Sequence, residues 1–186
     1  MSKSLSVAHD IVSNIKDAID SLNETRIKKM VSVLHEVKNK NRKVFVVGEG
    51  PSGLVAKALA MRLAELSYDV FVIGETITSA VEKGDVFIVI SESGRTPLVL
   101  EAAKIAKEKV GAKIISVTAS DGSPISKLAD LLLIVKTKSI EADDEEMYLS
   151  TQLTGSYVSS GRAIFQLAAG CILEAIVSEL ASIDAK

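Results

Sequence analysis

Five short runs of continuously apolar, largely β-branched residues punctuate this chain, and helix-like patterns stand between most of them. The runs are Lys43–Val47 (KVFVV), Val70–Ile73 (VFVI), Asp85–Ile90 (DVFIVI), Lys113–Val117 (KIISV) and Leu131–Val135 (LLLIV). A strand with one wet face alternates apolar and polar residues; a strand covered on both faces need not. Helical patterns follow at Ser52–Leu66, Pro97–Val110 and, briefly, Pro124–Ala129. Alternation of this kind predicts an α/β fold, a doubly wound, mostly parallel five-stranded sheet with helices on both faces. Apolar residues make up 47% of the chain but aromatics only 4%, with no Trp, so the core must be built of Val, Ile, Leu and Ala.

At 186 residues the chain fits a single domain, 1–186, whose first 40 or so residues form a helical region. An amphipathic stretch, Val7–Val37, precedes the first strand, and a long apolar helix, Arg162–Leu180, follows the last. Helices this apolar must cover the sheet or another subunit, so a homo-oligomer, dimer or tetramer, is expected. The terminal stretch AIFQLAAGCILEAIVSEL is interrupted by Gln166, Glu174 and Glu179, which favours a buried helix over a membrane span. A net charge of -2 argues against nucleic acid as a partner. The opening MSKSLSVAHD lacks the apolar core of a signal peptide, and one cysteine, Cys171, cannot form an internal disulfide. A cytoplasmic protein is expected. The acidic cluster of Glu141, Asp143, Asp144, Glu145 and Glu146 reads as a solvated loop or helix start.

Two loops carry the chemistry. The first, Gly48-Glu49-Gly50-Pro51-Ser52-Gly53, joins a strand to a helix. Glycines there let backbone approach a ligand, and the helix start offers unpaired N–H groups and the positive end of its dipole. The spacing also fits the dinucleotide fingerprint G-x-G-x-x-G, with Glu75 just past the second strand as the ribose acid. Against a nucleotide stands Ser52, a hydroxyl at the helix entry, and a second loop of the same kind: Ser91-Glu92-Ser93-Gly94-Arg95-Thr96-Pro97. Ser91, Ser93 and Thr96 bring three hydroxyls together, and Thr96 is a plausible N-cap before Pro97. Hydroxyls and helix N–H groups together suit a phosphate monoester. An ordinary capped helix start would need one hydroxyl rather than three.

SxSGxT after a parallel strand, with an earlier GxGxSG loop, resembles the sugar isomerase (SIS) domain family. Met61-Arg62-Leu63 through Ser67-Tyr68, then Val72-Ile73-Gly74-Glu75-Thr76-Ile77-Thr78, is similar to the 6-phospho-3-hexuloisomerase branch, with its MRL, Gly-Tyr pair and VGET-x-T. The similarity runs from about Val44 to Val135. It implies a flavodoxin-like domain, a dimer or tetramer, no metal or other cofactor, and interconversion of a 3-ketohexose 6-phosphate with fructose 6-phosphate. It implies further that Ser52, Ser91, Ser93 and Thr96 touch phosphate and sugar. The chain departs from the branch at Pro51, where an Arg is usual. It departs again in Leu153–Arg162, which lacks the carboxylate of an MGTxFE-type segment, and in a tail without His.

Moving a carbonyl from C3 to C2 passes through an enediol and needs a base. Glu75, at the ligand-binding edge of the sheet, is the first candidate; His35 is a second if it reaches a neighbouring subunit. Glu49 and Glu92 lie within the loops, and Arg95 is placed to steer phosphate. Three readings stand at this point: a sugar-phosphate isomerase, a non-catalytic sugar-phosphate sensor, and a nucleotide-binding protein.

Overall fold

The structure, a computed structural model, describes residues 2–137, 153–155 and 161–185. Each apolar run becomes a strand: β1 (Val44–Val47), β2 (Val70–Val72), β3 (Val86–Ile90), β4 (Lys113–Thr118) and β5 (Leu131–Ile134). They form one parallel sheet in the order β2-β1-β3-β4-β5. Six helices surround it among the described residues: α1 (Lys3–Asp20), α2 (Glu24–Asn39), α3 (Gly50–Glu65), α4 (Pro97–Lys104), α5 (Pro124–Leu128) and α6 (Gly161–Asp184).

Strand residues sort by parity. In β1 and β3, Val44, Val46, Val86, Ile88 and Ile90 face the layer formed by α2, α3 and α6. Phe45, Val47, Phe87 and Val89 face α4 and α5 on the other side. The few aromatics are not scattered. Phe71, Phe45 and Phe87 stand in register across three strands, with neighbouring centroids 5.4 and 6.3 Å apart. Continuous burial holds for the inner strands β1 and β3, but β2 is only half-buried and β5 alternates. Both are edge strands, which have neighbours on one side alone.

Three boundaries differ from the sequence reading. The N-terminal helical region resolves into two helices, broken at Ser21–Asn23, where Asn23 accepts from the Arg26 N–H at 3.1 Å and caps α2. The helix expected over Pro97–Val110 is α-helical only to Lys104 and widens into a π-type turn through Ile105–Val110. The first loop helix starts at Gly50, ahead of Ser52. Helix α6 is long and apolar enough to cross a membrane, with mean hydropathy 1.7. Here it lies along α1, α2 and α3 with Phe165, Ala168, Ala169, Leu173, Ile176, Val177 and Leu180 buried. Arg62 of α3 forks onto its Glu174, with contacts of 2.6 to 3.1 Å. The acidic cluster Glu141–Glu146 and residues 156–160 of the Leu153–Arg162 segment lie outside the described residues.

Candidate functional site

In a parallel sheet all strands end at the same edge. With order β2-β1-β3-β4-β5, the chain leaves β1 in one direction and β3 in the other, and ligands bind in the crevice so opened. Both Ser/Gly loops lie there. A groove of about 530 Å³ between Glu36, Lys40, Arg42, Lys113 and Asp130 opens at the opposite edge and has no such loop.

The first loop is compact because its glycines touch. A β-carbon on Gly48 would stand 2.6 Å from the Ser52 carbonyl oxygen and 2.9 Å from the Gly53 nitrogen. Only Gly48 lets the strand end pack directly on the first turn of α3. Gly50 has φ +54 and Gly53 donates to the Glu49 carbonyl at 3.3 Å. Ser52 is buried, 7% exposed, with no hydrogen-bond partner for its hydroxyl among the described residues.

The second loop is held by its own hydroxyls. Ser91 Oγ accepts from the Gly94 N–H at 3.1 Å and lies 3.2 Å from Thr96 Oγ1. Ser93 Oγ accepts from the Arg95 N–H at 3.2 Å. Two of the three hydroxyls therefore meet, while the third turns to its own backbone. Thr96 does occupy the N-cap position, with Pro97 next. Its side chain makes no capping bond, however, because its hydroxyl faces Ser91 instead. Arg95 is exposed, with no side-chain partner among the described residues.

This leaves a pattern at the helix starts. Ser2, Asn23 and Ser123 cap α1, α2 and α5 with side-chain hydrogen bonds; α3 and α4 have none. The first N–H groups of a helix lack internal partners. Those of α3 and α4, the two helices entered from the candidate loops, have no side-chain cap, and uncapped helix starts are suited to anions.

The remaining candidates separate. Glu75, past β2, is exposed and its carboxylate meets Lys57 Nζ of α3 at 2.6 Å. Half-exposed pairs of this kind contribute about 0–1 kcal/mol. His35 lies one turn from the end of α2, which runs back to the start of β1, so within one chain it stands at the edge away from both loops. Its ring faces Asn39 at 3.3 Å. Glu92 is partly buried. Its carbonyl accepts from the Ala119 N–H at 3.0 Å and Thr118 Oγ1 at 2.9 Å, tying the loop to the end of β4.

Gln166 of α6 is a residue that sequence reasoning missed. Its Nε2 reaches Glu92 Oε2 at 3.5 Å, across 74 positions of sequence, and its Oε1 is buried with no partner among the described residues. No local signal could have found it, since only the packing of α6 brings it to Glu92.

Comparison with known proteins identifies the family and the fold. The SIS domain model matches residues 37–166. The chain is 37% identical over 153 residues to the 3-hexulose-6-phosphate isomerase of Mycobacterium gastri, covering 81% of this chain and 75% of that one. It is 33% identical over 172 residues to the enzyme of the same name from Methylomonas aminofaciens, covering 91% and 86%. Among solved structures, it is similar to a Methanococcus jannaschii protein whose crystal structure was read as inferring 3-hexulose-6-phosphate isomerase function. There the TM-score is 0.71 at 28% identity, over 93% of this chain and 88% of that one.

Proposed function

The chain belongs to the SIS domain family, and on that premise we propose that it is a sugar-phosphate isomerase interconverting a 3-ketohexose 6-phosphate and fructose 6-phosphate. One observation carries the reading. Both helices entered from the two Ser/Gly loops lack side-chain caps, and both start at the crevice between β1 and β3. A phosphate monoester supplies what is missing there, because its oxygens accept from several N–H and O–H donors at once. Gly48, Gly50, Ser52 and Gly53 form one side of its seat; Ser91, Ser93, Gly94, Arg95 and Thr96 form the other. Relatives named as 3-hexulose-6-phosphate isomerases support the choice of sugar. Self-association belongs to the same reading, since apolar side chains of α1 and α3 remain exposed.

The nucleotide reading has less behind it. Its ribose acid would be Glu75, whose carboxylate is engaged with Lys57.

The test is a thermal-shift screen of purified protein with fructose 6-phosphate, NAD and AMP, followed by an isomerase assay with the 3-ketohexose phosphate. At 100 times Kd a ligand stabilises by about 2.7 kcal/mol, a rise in Tm of roughly 5–10 °C for a chain of this size. Stabilisation by the sugar phosphate with turnover is expected. Stabilisation without turnover would make the protein a sensor, and a response to NAD or AMP alone would make it a nucleotide binder.

A further inference from the structure

The isomerase reading leaves the proton carrier open, and the geometry points to one. We propose that Glu92 moves the proton in this isomerisation and that Gln166 positions its carboxylate; the inference rests on the isomerase reading above.

Three carboxylates belong to the loops at the crevice edge. Glu49 is exposed, and Glu75 is exposed and tied to Lys57. Glu92 alone is partly buried, with its backbone fastened to the end of β4 by two hydrogen bonds at its carbonyl. The parity of β3 sets the direction of its side chain. Val86, Ile88 and Ile90 face α2, α3 and α6, and Glu92 continues that series to meet Gln166 of α6. The carboxylate therefore stands on the same side of the sheet as the uncapped start of α3, where Ser52 lies buried.

Gln166 has the geometry of a positioning residue. Its amide nitrogen approaches Glu92 Oε2 at 3.5 Å, long for a hydrogen bond. Such contacts tighten when substrate closes the site. Its Oε1 is buried without a partner among the described residues. A buried acceptor left unsatisfied is costly, and a sugar hydroxyl at this point would satisfy it. Substrate binding would then lock the amide, and the amide would lock the carboxylate.

The chemistry balances without a co-reactant. Glu92 takes the proton from C2 of the 3-ketohexose phosphate, breaking the C–H bond as the C3 carbonyl becomes part of an enediol. On the carboxyl group that proton exchanges with solvent in competition with its delivery to C3, which completes the step while the hydroxyl proton passes from O2 to O3. C2 is oxidised from alcohol to ketone and C3 is reduced from ketone to alcohol.

The experiment compares wild type, Glu92→Gln, Glu92→Asp, Glu75→Gln and Gln166→Leu for kcat, KM and uptake of deuterium at C3 of fructose 6-phosphate in heavy water. General bases contribute roughly 100- to 10,000-fold. Glu92→Gln is expected to lose at least roughly 100-fold in kcat and all deuterium uptake, while fructose 6-phosphate still raises its Tm. Glu92→Asp, which keeps the carboxylate, is expected to fall between the two, and it carries the test should the Gln variant not fold. Gln166→Leu is expected to lower kcat about tenfold with KM unchanged. A Glu92→Gln enzyme within tenfold of wild type, or a larger loss in Glu75→Gln, overturns the assignment of the base. Loss confined to KM in Gln166→Leu overturns the positioning role. A wild-type protein without turnover or exchange defeats the isomerase reading itself, which separates the two failures.

Discussion

Gly94 shows how tightly the second loop is set. Its φ is +63, and a β-carbon there would lie 2.1 Å from Ser123 Oγ and 2.6 Å from Ser123 Cβ. Ser123 cannot yield easily, because its hydroxyl caps α5 through the Ser126 N–H at 3.2 Å. Its neighbour across the contact, the Gly94 carbonyl, accepts from the Ile125 N–H at 3.1 Å. Gly94→Ala combines a left-handed backbone, about 1–2 kcal/mol, with overpacking of about 1–3 kcal/mol. A fall in Tm of roughly 10 °C is expected, together with loss of stabilisation by fructose 6-phosphate. Unchanged melting in calorimetry would show that the loop yields. The need for a glycine among the three hydroxyl residues was legible in the sequence; the reason was not, since Ser123 lies 29 positions away. Thr96 teaches the converse. Sequence reading placed it at the helix start and beside Ser91, but did not foresee that its hydroxyl, 3.2 Å from Ser91 Oγ, would leave α4 without a capping bond.

At the scale of elements, strands were legible and helix ends less so. Five apolar runs alternating with helical patterns have few ways to be buried, so the parallel direction followed; the flavodoxin-like arrangement came only with the family resemblance. The break at Ser21–Asn23 is written only in the Asn23-Glu24 start signal, which the amphipathic pattern on either side masks. The π-type turn after Lys104 keeps its apolar spacing and leaves no mark. Gln166 was illegible for another reason: only the packing of α6 brings it to Glu92. The ends of α2, α3 and α6 meet at Tyr68, which is 6% exposed and has no partner for its hydroxyl among the described residues. Lys38 Nζ stands 5.3 Å above its ring and pairs with Asp184 at 2.5 Å. Burial, with the Asp184 charge, pushes the Tyr68 phenol from 10.0 to about 12. The unfolded phenol ionises first, so this contribution to stability is whole below pH 10 and lost as pH rises towards 12. Between pH 9 and 11 wild type should lose roughly 1 kcal/mol more than Tyr68→Phe in urea unfolding. Parallel losses would show that the phenol is solvated.

Across the whole molecule, some of the exposed apolar side chains fall into stripes on two helices. Leu5, Val12 and Ile19 recur every seventh residue along α1, exposed by 50%, 63% and 36%. Leu54 and Met61 do the same on α3, at 70% and 57%. Stripes at this spacing suit packing against other helices, and a second copy of the chain is the partner that the sequence led us to expect. Light scattering should give a mass of at least two chains, and Val12→Glu with Met61→Glu should reduce it. A monomeric wild type at tens of micromolar would remove this part of the account.

The central claim is that the paired Ser/Gly loops hold a sugar phosphate while its carbonyl moves. NMR observation of purified protein with the 3-ketohexose 6-phosphate tests it directly. The account predicts fructose 6-phosphate as the product, approached from either direction to the same equilibrium, without added nucleotide. A folded protein that leaves both sugars unchanged and is stabilised by neither would contradict it.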